Sequence, residues 1–155
     1  MKFILFVCIF VSILFTKEIE VTSKQFEGDQ SKGISIFSGD VVVKRAKDYI
    51  KADKVIVTTD KKKKPTKLEF FGSNNHQIDF TINYENNISY KGKTDKIEYY
   101  PITREYILTG NVSVEGIVEK RKIYGEKIVL EQVNKKAKIF GTDNRPARFI
   151  FEVNE

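Results

Sequence analysis

The sequence predicts an all-β protein that is built from a repeated strand-and-turn unit. Apolar and polar residues alternate along the chain, and Tyr, Phe, Val, Ile and Thr, which favour strands, are abundant throughout. Gly, Asn and Asp form clusters between the alternating segments, and Gly and Asn tolerate the positive φ that tight hairpin turns require. Short strands at this spacing are typical of a sandwich, a barrel or a jelly roll.

The strands and turns follow one another in a regular order. After residue 17, no window of helical length shows a sustained apolar stripe at the spacing i, i+3, i+4, i+7, so no helix is predicted there. Clear alternation occurs at 67–70, 78–83, 111–115 and 149–154, and the turn clusters lie at 28–29, 39–40, 72–75, 86–87, 110–111 and 141–144.

Several of these elements repeat. The segment FSGDVVV at 37–43 recurs as LTGNVSV at 108–114. A strand start made of an acid, a lysine and an aliphatic residue recurs at 53–55, 95–97 and 126–128, and an apolar closing element ending in Gly recurs at 68–72 and 137–141. Such a unit has one apolar face that it cannot bury alone, so neighbouring units must stack edge to edge. The repeat therefore predicts growth along one axis, with free sheet edges at both ends.

Residues 1–16 are predicted to be a signal peptide, and residues 17–155 a single domain. The apolar run 3–15 has the length of a signal-peptide core and is shorter than the roughly 20 residues that span a bilayer as a helix. The alternative is an uncleaved membrane anchor, because Ile13, Leu14 and Phe15 are not the small residues that a signal peptidase prefers.

The mature chain would contain no cysteine, because Cys8 is the only one in the sequence. Disulfides, thiol catalysis and cysteine-bound metals are therefore excluded. Removal of Lys2 with the signal peptide leaves 26 basic and 21 acidic residues, a net charge of +5. A basic surface favours an anionic partner, and export argues against nucleic acid as that partner.

The repeat resembles the OstA-like periplasmic lipopolysaccharide-transport proteins, and within them the soluble bridge proteins. The resemblance is carried by the pattern [Thr/Ser]-Gly-[Asn/Asp]-Val-x-Val at 38–43 and 109–114, and by Ala-Asp-Lys-Val at 52–55. It extends from about Ile19 to about Gly141. The resemblance implies a β-jelly roll, in which two antiparallel sheets face each other in a V and leave an apolar groove.

The resemblance also implies how such a protein acts. Copies would pack end to end, as a head-to-tail homo-oligomer, into a bridge across the periplasm. The acyl chains of lipopolysaccharide would slide along the groove, from an LptC-like inner-membrane component to an LptD-like outer-membrane component. Such a carrier needs neither catalysis nor a cofactor.

Alternation assigns the residues that would line the groove. They are Ile19, Val21, Phe37, Val41, Val43, Val55, Val57, Leu68, Phe70, Ile78, Phe80, Ile82, Ile97, Tyr99, Leu108, Val112, Val114, Ile128, Leu130, Phe149 and Phe151. Five tyrosines could line the mouth, with the ring inside and the hydroxyl at the wet rim: Tyr84, Tyr90, Tyr99, Tyr100 and Tyr106. The alternative is a closed sandwich core without a ligand, because an open groove and a dry core use the same residue types.

Three polar features have alternative interpretations. Lys61, Lys62, Lys63 and Lys64 form either a solvated hairpin loop or a contact for headgroup phosphates. His76 is the only histidine and is interpreted as a surface-loop residue, because it has no second ligand with which to share a metal. Asn87 fits the acid-x-Asn-x-Ser acceptor of some bacterial N-glycosylation systems.

The sequence does not predict an enzyme. It contains neither a Gly-rich phosphate loop nor a nucleophile elbow, and its carboxylates are scattered among lysines on polar strand faces. The hypotheses are therefore a periplasmic lipopolysaccharide carrier, a membrane-anchored LptC-like partner of the same pathway, and a scaffold without a ligand.

Overall fold

The computed structural model describes residues 18–85 and 88–155, with the backbone alone for residues 84 and 85. The predicted signal peptide and Asn87 lie outside these residues. All strand pairs are antiparallel. The strands are β1 (Ile19–Thr22), β2 (Gln25–Asp29), β3 (Ile34–Arg45), β4 (Asp48–Thr59), β5 (Pro65–Phe71), β6 (Ile78–Glu85), β7 (Ile88–Thr94), β8 (Lys96–Tyr100), β9 (Glu105–Gly116), β10 (Lys122–Glu131), β11 (Lys136–Phe140) and β12 (Arg148–Ile150).

Four long strands divide their length between two sheets. The register of β3 on β4 shifts between Ser38 and Val41, and that of β10 on β9 shifts between Gly125 and Lys127. On one side of these shifts lies the first sheet, in the order β2-β3-β4-β5-β8-β9-β10-β11. On the other side lies the second sheet, in the order β1-β3-β4-β6-β7-β9-β10-β12. Each sheet therefore has eight strand segments, and the four long strands pass from one sheet to the other.

The repeated glycine motif lies at these crossings. Gly39 and Asp40 have φ values of 80° and 43°, and Gly110 and Asn111 have nearly the same values, 88° and 46°. Glycine adopts this left-handed conformation without steric cost, and Asp and Asn tolerate it better than most other residues. The acids of the repeated acid-lysine-aliphatic strand starts also lie at the crossings. Asp53 and Glu126 occupy the register shifts of β4 and β10, and Asp95 separates β7 from β8. The repeat seen in the sequence thus marks the points where the chain changes sheets.

Gly110→Ala is expected to destabilise the protein by about 1–3 kcal/mol, because φ is strained for Ala. An added Cβ would also lie 2.6 Å from Asp95 Oδ2. The control is Gly116→Ala, where the nearest atom, in the Tyr90 ring, is 3.5 Å from the added Cβ. Urea unfolding measures both variants, and equal losses of stability would contradict this account of the crossing.

The inner faces of the two sheets pack against each other in one core. Across the first sheet, residues in register form a continuous apolar row, which is Phe26, Phe37, Val55, Phe70, Ile97, Leu108, Ile128 and Ile139. The corresponding row of the second sheet is Val21, Val43, Ile50, Phe80, Gly92, Val114, Ile123 and Phe149. Members of both rows belong to the same cluster of buried residues. Within 18–85 and 88–155, the structure contains no helix long and apolar enough to cross a membrane.

Candidate functional site

The structure buries most of the predicted groove residues between the two sheets. Ile19, Val21 and Phe37 are half-buried and pack against this core. The buried ones are Val41, Val43, Val55, Val57, Leu68, Phe70, Ile78, Phe80, Ile82, Ile97, Tyr99, Leu108, Val112, Val114, Ile128 and Leu130. Phe149 and Phe151 differ from the rest, because their side chains are 46% and 57% exposed. They lie on and just after an edge strand that pairs with one neighbour, so no further strand covers them.

The centre of the interior is closely packed. The first-sheet residues Val55, Phe70, Ile97, Leu108 and Ile128 are all between 0 and 2% exposed. A cavity of about 10 Å³ between the sheets has room for roughly one water molecule. In this conformation the two sheets therefore touch at the centre, and an acyl chain would have to part them.

Both ends of the interior are open to solvent and apolar. At one end, Phe26 is 63% exposed, and its ring centroid lies 5.1 Å from that of Phe37. At the other end, the Phe149 and Phe151 rings stack with centroids 6.1 Å apart. Phe26 is in register with Phe37, and Phe149 with Ile123, so both aromatic groups continue the inner apolar rows. We call these ends the N-terminal opening (Ile19, Val21, Phe26 and Phe37) and the C-terminal opening (Ile123, Ile139, Phe149 and Phe151).

Phe26 is a lining residue that the sequence pattern does not identify. Its segment, Gln25 to Asp29, is short, and a glycine interrupts its alternation. The apolar residue between Gln25 and Glu27 is the signal that could have identified it.

A group of polar side chains and backbone groups around the buried Asp48 joins the two sheets away from the crossings. The Tyr106 hydroxyl of the first sheet donates a 2.7 Å hydrogen bond to Asp48 Oδ2 of the second sheet. The backbone N–H of Asn83 donates to Asp48 Oδ1 at 2.8 Å. Gln132 Nε2 donates to Asp48 Oδ2 at 3.3 Å and to the Asn83 carbonyl oxygen at 2.9 Å, and Arg45 Nη1 lies 3.8 Å from Asp48 Oδ2. We call this group the polar clasp (Arg45, Asp48, Asn83, Tyr106 and Gln132).

The polar clasp holds a carboxylate in the interior. Asp48 and Gln132 are both buried, and burial together with the Asp48 carboxylate raises the pKa of Tyr106 well above its usual value. Tyr106 therefore remains a hydrogen-bond donor at neutral pH. A buried carboxylate is stable only where such donors surround it. The crossings and the polar clasp thus hold the sheets together on two different sides.

The chain also resembles known proteins in sequence and in structure. A sequence model of the family described as "LptA/(LptD N-terminal domain) LPS transport protein" matches residues 20–136. The chain belongs to this family of lipopolysaccharide (LPS) transport proteins. No curated protein matches the sequence.

A solved structure shows the same fold. It is the crystal structure of LptH, the LptA homologous periplasmic component of the conserved lipopolysaccharide transport device from Pseudomonas aeruginosa. The two share 17% sequence identity and superpose with a TM-score of 0.76 over 88% of this chain and 96% of that chain. The predictions of the family and of a β-jelly roll are therefore confirmed.

The lysine run of this LPS transport protein forms the turn between β4 and β5. Asp60 organises the turn, because its Oδ1 accepts hydrogen bonds from the backbone N–H groups of Lys62 and Lys64, at 2.8 and 2.9 Å. All four lysines are exposed. Lys61 and Lys63 line an open cleft of about 670 Å³ that also includes Phe26. Two of the predicted headgroup contacts therefore lie beside the N-terminal opening.

The predicted rim position is wrong for two of the tyrosines. Tyr99 and Tyr106 are buried, and their rings stack with centroids 4.3 Å apart. They are in register on β8 and β9, on the inner face of the first sheet, and Tyr106 belongs to the polar clasp. Tyr100 lies on the outer face and donates a 2.9 Å hydrogen bond to Glu98 Oε2. Tyr90 is half-buried and packs against the core, whereas the side chain of Tyr84 lies outside the described residues.

His76 lies in the exposed loop between β5 and β6, with Nδ1 3.9 Å from Asp53 Oδ1. In residues 18–85 and 88–155, no group of three or more His, Cys, Asp or Glu side chains could hold a metal ion.

Proposed function

We propose that the chain is a periplasmic carrier that holds the acyl chains of LPS between its two sheets and passes them from end to end. One observation carries the proposal: the apolar rows of the inner faces run across all eight strand segments and end in exposed aromatic rings at both openings. Residues 1–16 would be the signal peptide that exports it, and residues 17–155 the single carrier domain. Because the role needs no catalysis, we propose that the chain is not an enzyme.

Capture of the acyl chains would use the hydrophobic effect. Transfer of each CH₂ group from water to the interior contributes about 0.8 kcal/mol, so a continuous apolar lining favours capture of an acyl chain. The rows themselves contain no charged side chain, and so impose no hydrogen-bonding geometry that would stop a chain from sliding.

The ends of the sheets would join the carrier to its neighbours. In the described part of the chain, β1, β2, β11 and β12 each pair with a single strand, so one edge of each is free. A free edge accepts a further strand through backbone hydrogen bonds. The occupants we propose are further copies of the chain within the bridge, an LptC-like component at the inner-membrane end, and an LptD-like component at the outer-membrane end.

Photo-cross-linking in cells tests the proposed route. A photoreactive residue at Phe149 is expected to form LPS adducts, whereas one at Ile150 is not. The two side chains are matched in exposure, at 46% and 41%, but consecutive strand residues point to opposite faces. A second pair of consecutive residues is Phe80, which is buried on the inner face, and Thr81, which is partly exposed on the outer face. Equal adducts from both faces, or none from the inner positions, would contradict the carrier function.

The mature N-terminus separates the carrier from the membrane-anchored alternative. Mass spectrometry of protein from cells is expected to show a chain that begins near Lys17. A chain that retains residues 1–15 would favour the anchored LptC-like partner.

Replacement of Lys61, Lys62, Lys63 and Lys64 by Ala is expected to weaken LPS binding severalfold at low salt and to flatten its salt dependence. The physical reason is that these lysines would face headgroup phosphates while the acyl chain enters beside Phe26. Binding is measured from 50 mM to 500 mM salt, with Lys91→Ala/Lys93→Ala on the outer face of the second sheet as control. An unchanged salt slope would reject the phosphate contact.

A further inference from the structure

The turns on one side of the protein differ in composition from those on the other. Each long strand changes sheets near its middle, so the far edges of both sheets lie opposite the crossings, together with the polar clasp. The described turns at these far edges are 30–33, 46–47, 60–64, 101–104, 117–121 and 132–135. We call them the seam turns. The connections on the side of the crossings are 23–24, 72–77, 95 and 141–147.

Basic residues are concentrated in the seam turns. These turns contain ten basic and two acidic residues, whereas the connections on the side of the crossings contain two of each. Nine of the ten basic side chains are exposed, and Arg104 is partly exposed. Neighbouring charges of one sign add their fields within about a Debye length, roughly 10 Å at 0.1 M salt. The seam turns therefore form a surface that attracts anions.

Aliphatic side chains are exposed in the same turns. Six large aliphatic side chains are exposed in the described part of the chain, and four of them lie in the seam turns: Ile102, Ile117, Val118 and Val133. Ile102 and Val118 are the most exposed of these four, at 79% and 71%. Turns are usually formed by polar residues and glycine, and the connections on the side of the crossings contain no Leu, Ile, Val, Met or Phe. The apolar and basic residues therefore occupy the same side of the protein.

Three seam turns share one sequence pattern, an aliphatic residue two positions before a basic one. The pattern occurs as Ile-Thr-Arg at 102–104, Val-Glu-Lys at 118–120 and Val-Asn-Lys at 133–135. Backbone hydrogen bonds fix these turns. The Gln132 N–H donates to the Arg104 carbonyl oxygen at 3.2 Å and so joins the first turn to the third, and the Ile117 N–H donates to the Ser89 carbonyl oxygen at 3.0 Å. The pattern therefore places apolar and basic side chains next to each other on ordered backbone.

We propose that the seam turns dock the protein on the surface of an anionic phospholipid bilayer. The basic side chains would contact lipid phosphates, and the aliphatic side chains would insert at the level of the headgroups. A soluble polyanion would need only the basic residues, whereas a bilayer also removes the exposed aliphatic side chains from water. Docking in this orientation would turn the polar clasp toward the bilayer. The inference does not depend on the carrier function.

Vesicle binding of the mature chain, residues 17–155, tests the docking. These residues contain all the described strands. Vesicles of phosphatidylglycerol mixed with phosphatidylcholine are expected to bind the chain at least about tenfold more tightly than phosphatidylcholine alone at low salt. Ile102→Ser/Val118→Ser is expected to weaken this binding about tenfold. The control, Ile150→Ser/Val153→Ser, removes the same two residue types, exposed by 41% and 81%, from the C-terminal end.

The electrostatic part of the docking has its own matched pair. Replacement of all four lysines at 61–64 by Ala is expected to weaken vesicle binding about ten- to hundredfold at low salt and much less at high salt. The control, Lys24→Ala/Lys54→Ala/Lys91→Ala/Lys93→Ala, removes four exposed lysines from outside the seam turns.

Fluorescence reports on insertion directly. The sequence contains no tryptophan, so a single introduced indole reports on its own turn. The emission of Ile102→Trp is expected to shift to shorter wavelength on mixed vesicles and to be quenched by brominated lipid. The emission of Val153→Trp is expected to show neither effect.

The outcomes separate this inference from the carrier function. Equal binding to both kinds of vesicle, or the same fluorescence response from both tryptophan positions, would overturn the docking. Binding that depends on the lysines but not on Ile102 and Val118 would indicate a surface for soluble polyanions and would also overturn it. The vesicles contain no LPS, and Ile102→Ser/Val118→Ser is expected to bind LPS in solution as the natural chain does, because its inner rows are unchanged. Loss of LPS binding in the natural chain would instead overturn the carrier function.

Discussion

Phe70→Ala is expected to lower the free energy of unfolding by about 3–5 kcal/mol, because it leaves a cavity in the packed centre of the interior. Phe70 is 1% exposed and lies in the row between Val55 and Ile97. The matched control is Phe26→Ala, which removes the same side chain from the same row at its exposed end. Its stability should change by no more than about 0.5 kcal/mol.

Chemical denaturation measures both phenylalanine variants, and LPS binding gives a second comparison. The proposed entry of lipid at the N-terminal opening predicts that Phe26→Ala weakens LPS binding although its stability is intact. Equal losses of stability would contradict the description of a packed centre with open ends. Unchanged LPS binding in Phe26→Ala would move the entry site away from this opening.

Tyr106→Phe is expected to cost about 1.5–3 kcal/mol of stability, since it removes a donor from a buried carboxylate and leaves the packing otherwise intact. The control is Tyr100→Phe, which removes a hydrogen bond of similar length to Glu98 on the outer face. There water replaces the lost donor, and the cost should stay below about 1 kcal/mol. Urea midpoints at neutral pH compare the two variants, and similar losses would indicate that the polar clasp does not hold the sheets together.

The sequence predicts the fold well because the strand signal is local. Alternation within a few residues places Val55, Phe70 and Leu108 on inner faces, and the glycine motif coincides with the crossings at Gly39 and Gly110. These features depend on the period of a strand and on backbone sterics, both of which can be read from neighbouring residues.

The polar clasp could not be predicted in this way. Asp48 contacts Tyr106, 58 residues away, and Gln132, 84 residues away. Its own neighbours, Lys47 and Tyr49, suggest an ordinary turn at the start of a strand. A buried carboxylate becomes visible only once the topology has brought its donors together.

The degree of burial at the ends of the sheets also does not follow from the sequence pattern. Phe149 alternates with its neighbours just as Phe80 does, yet Phe80 is buried and Phe149 is half exposed. The difference is the number of neighbouring strands, because β6 is flanked on both sides whereas β12 has a partner on one side. Periodicity shows on which face of the sheet a side chain lies, but it does not show whether the strand is at the centre or at the edge of the sheet.

The two kinds of wall around the interior differ in how they can open. At the crossings the wall is continuous polypeptide, and it cannot part without breaking covalent bonds. At the polar clasp the wall is a set of side-chain hydrogen bonds, which thermal motion can break and re-form. If the two sheets separate, they must therefore rotate about the crossings, which act as a hinge. An amphiphile with a large polar portion could then travel with its tails inside and that portion outside, without the protein having to enclose the whole molecule.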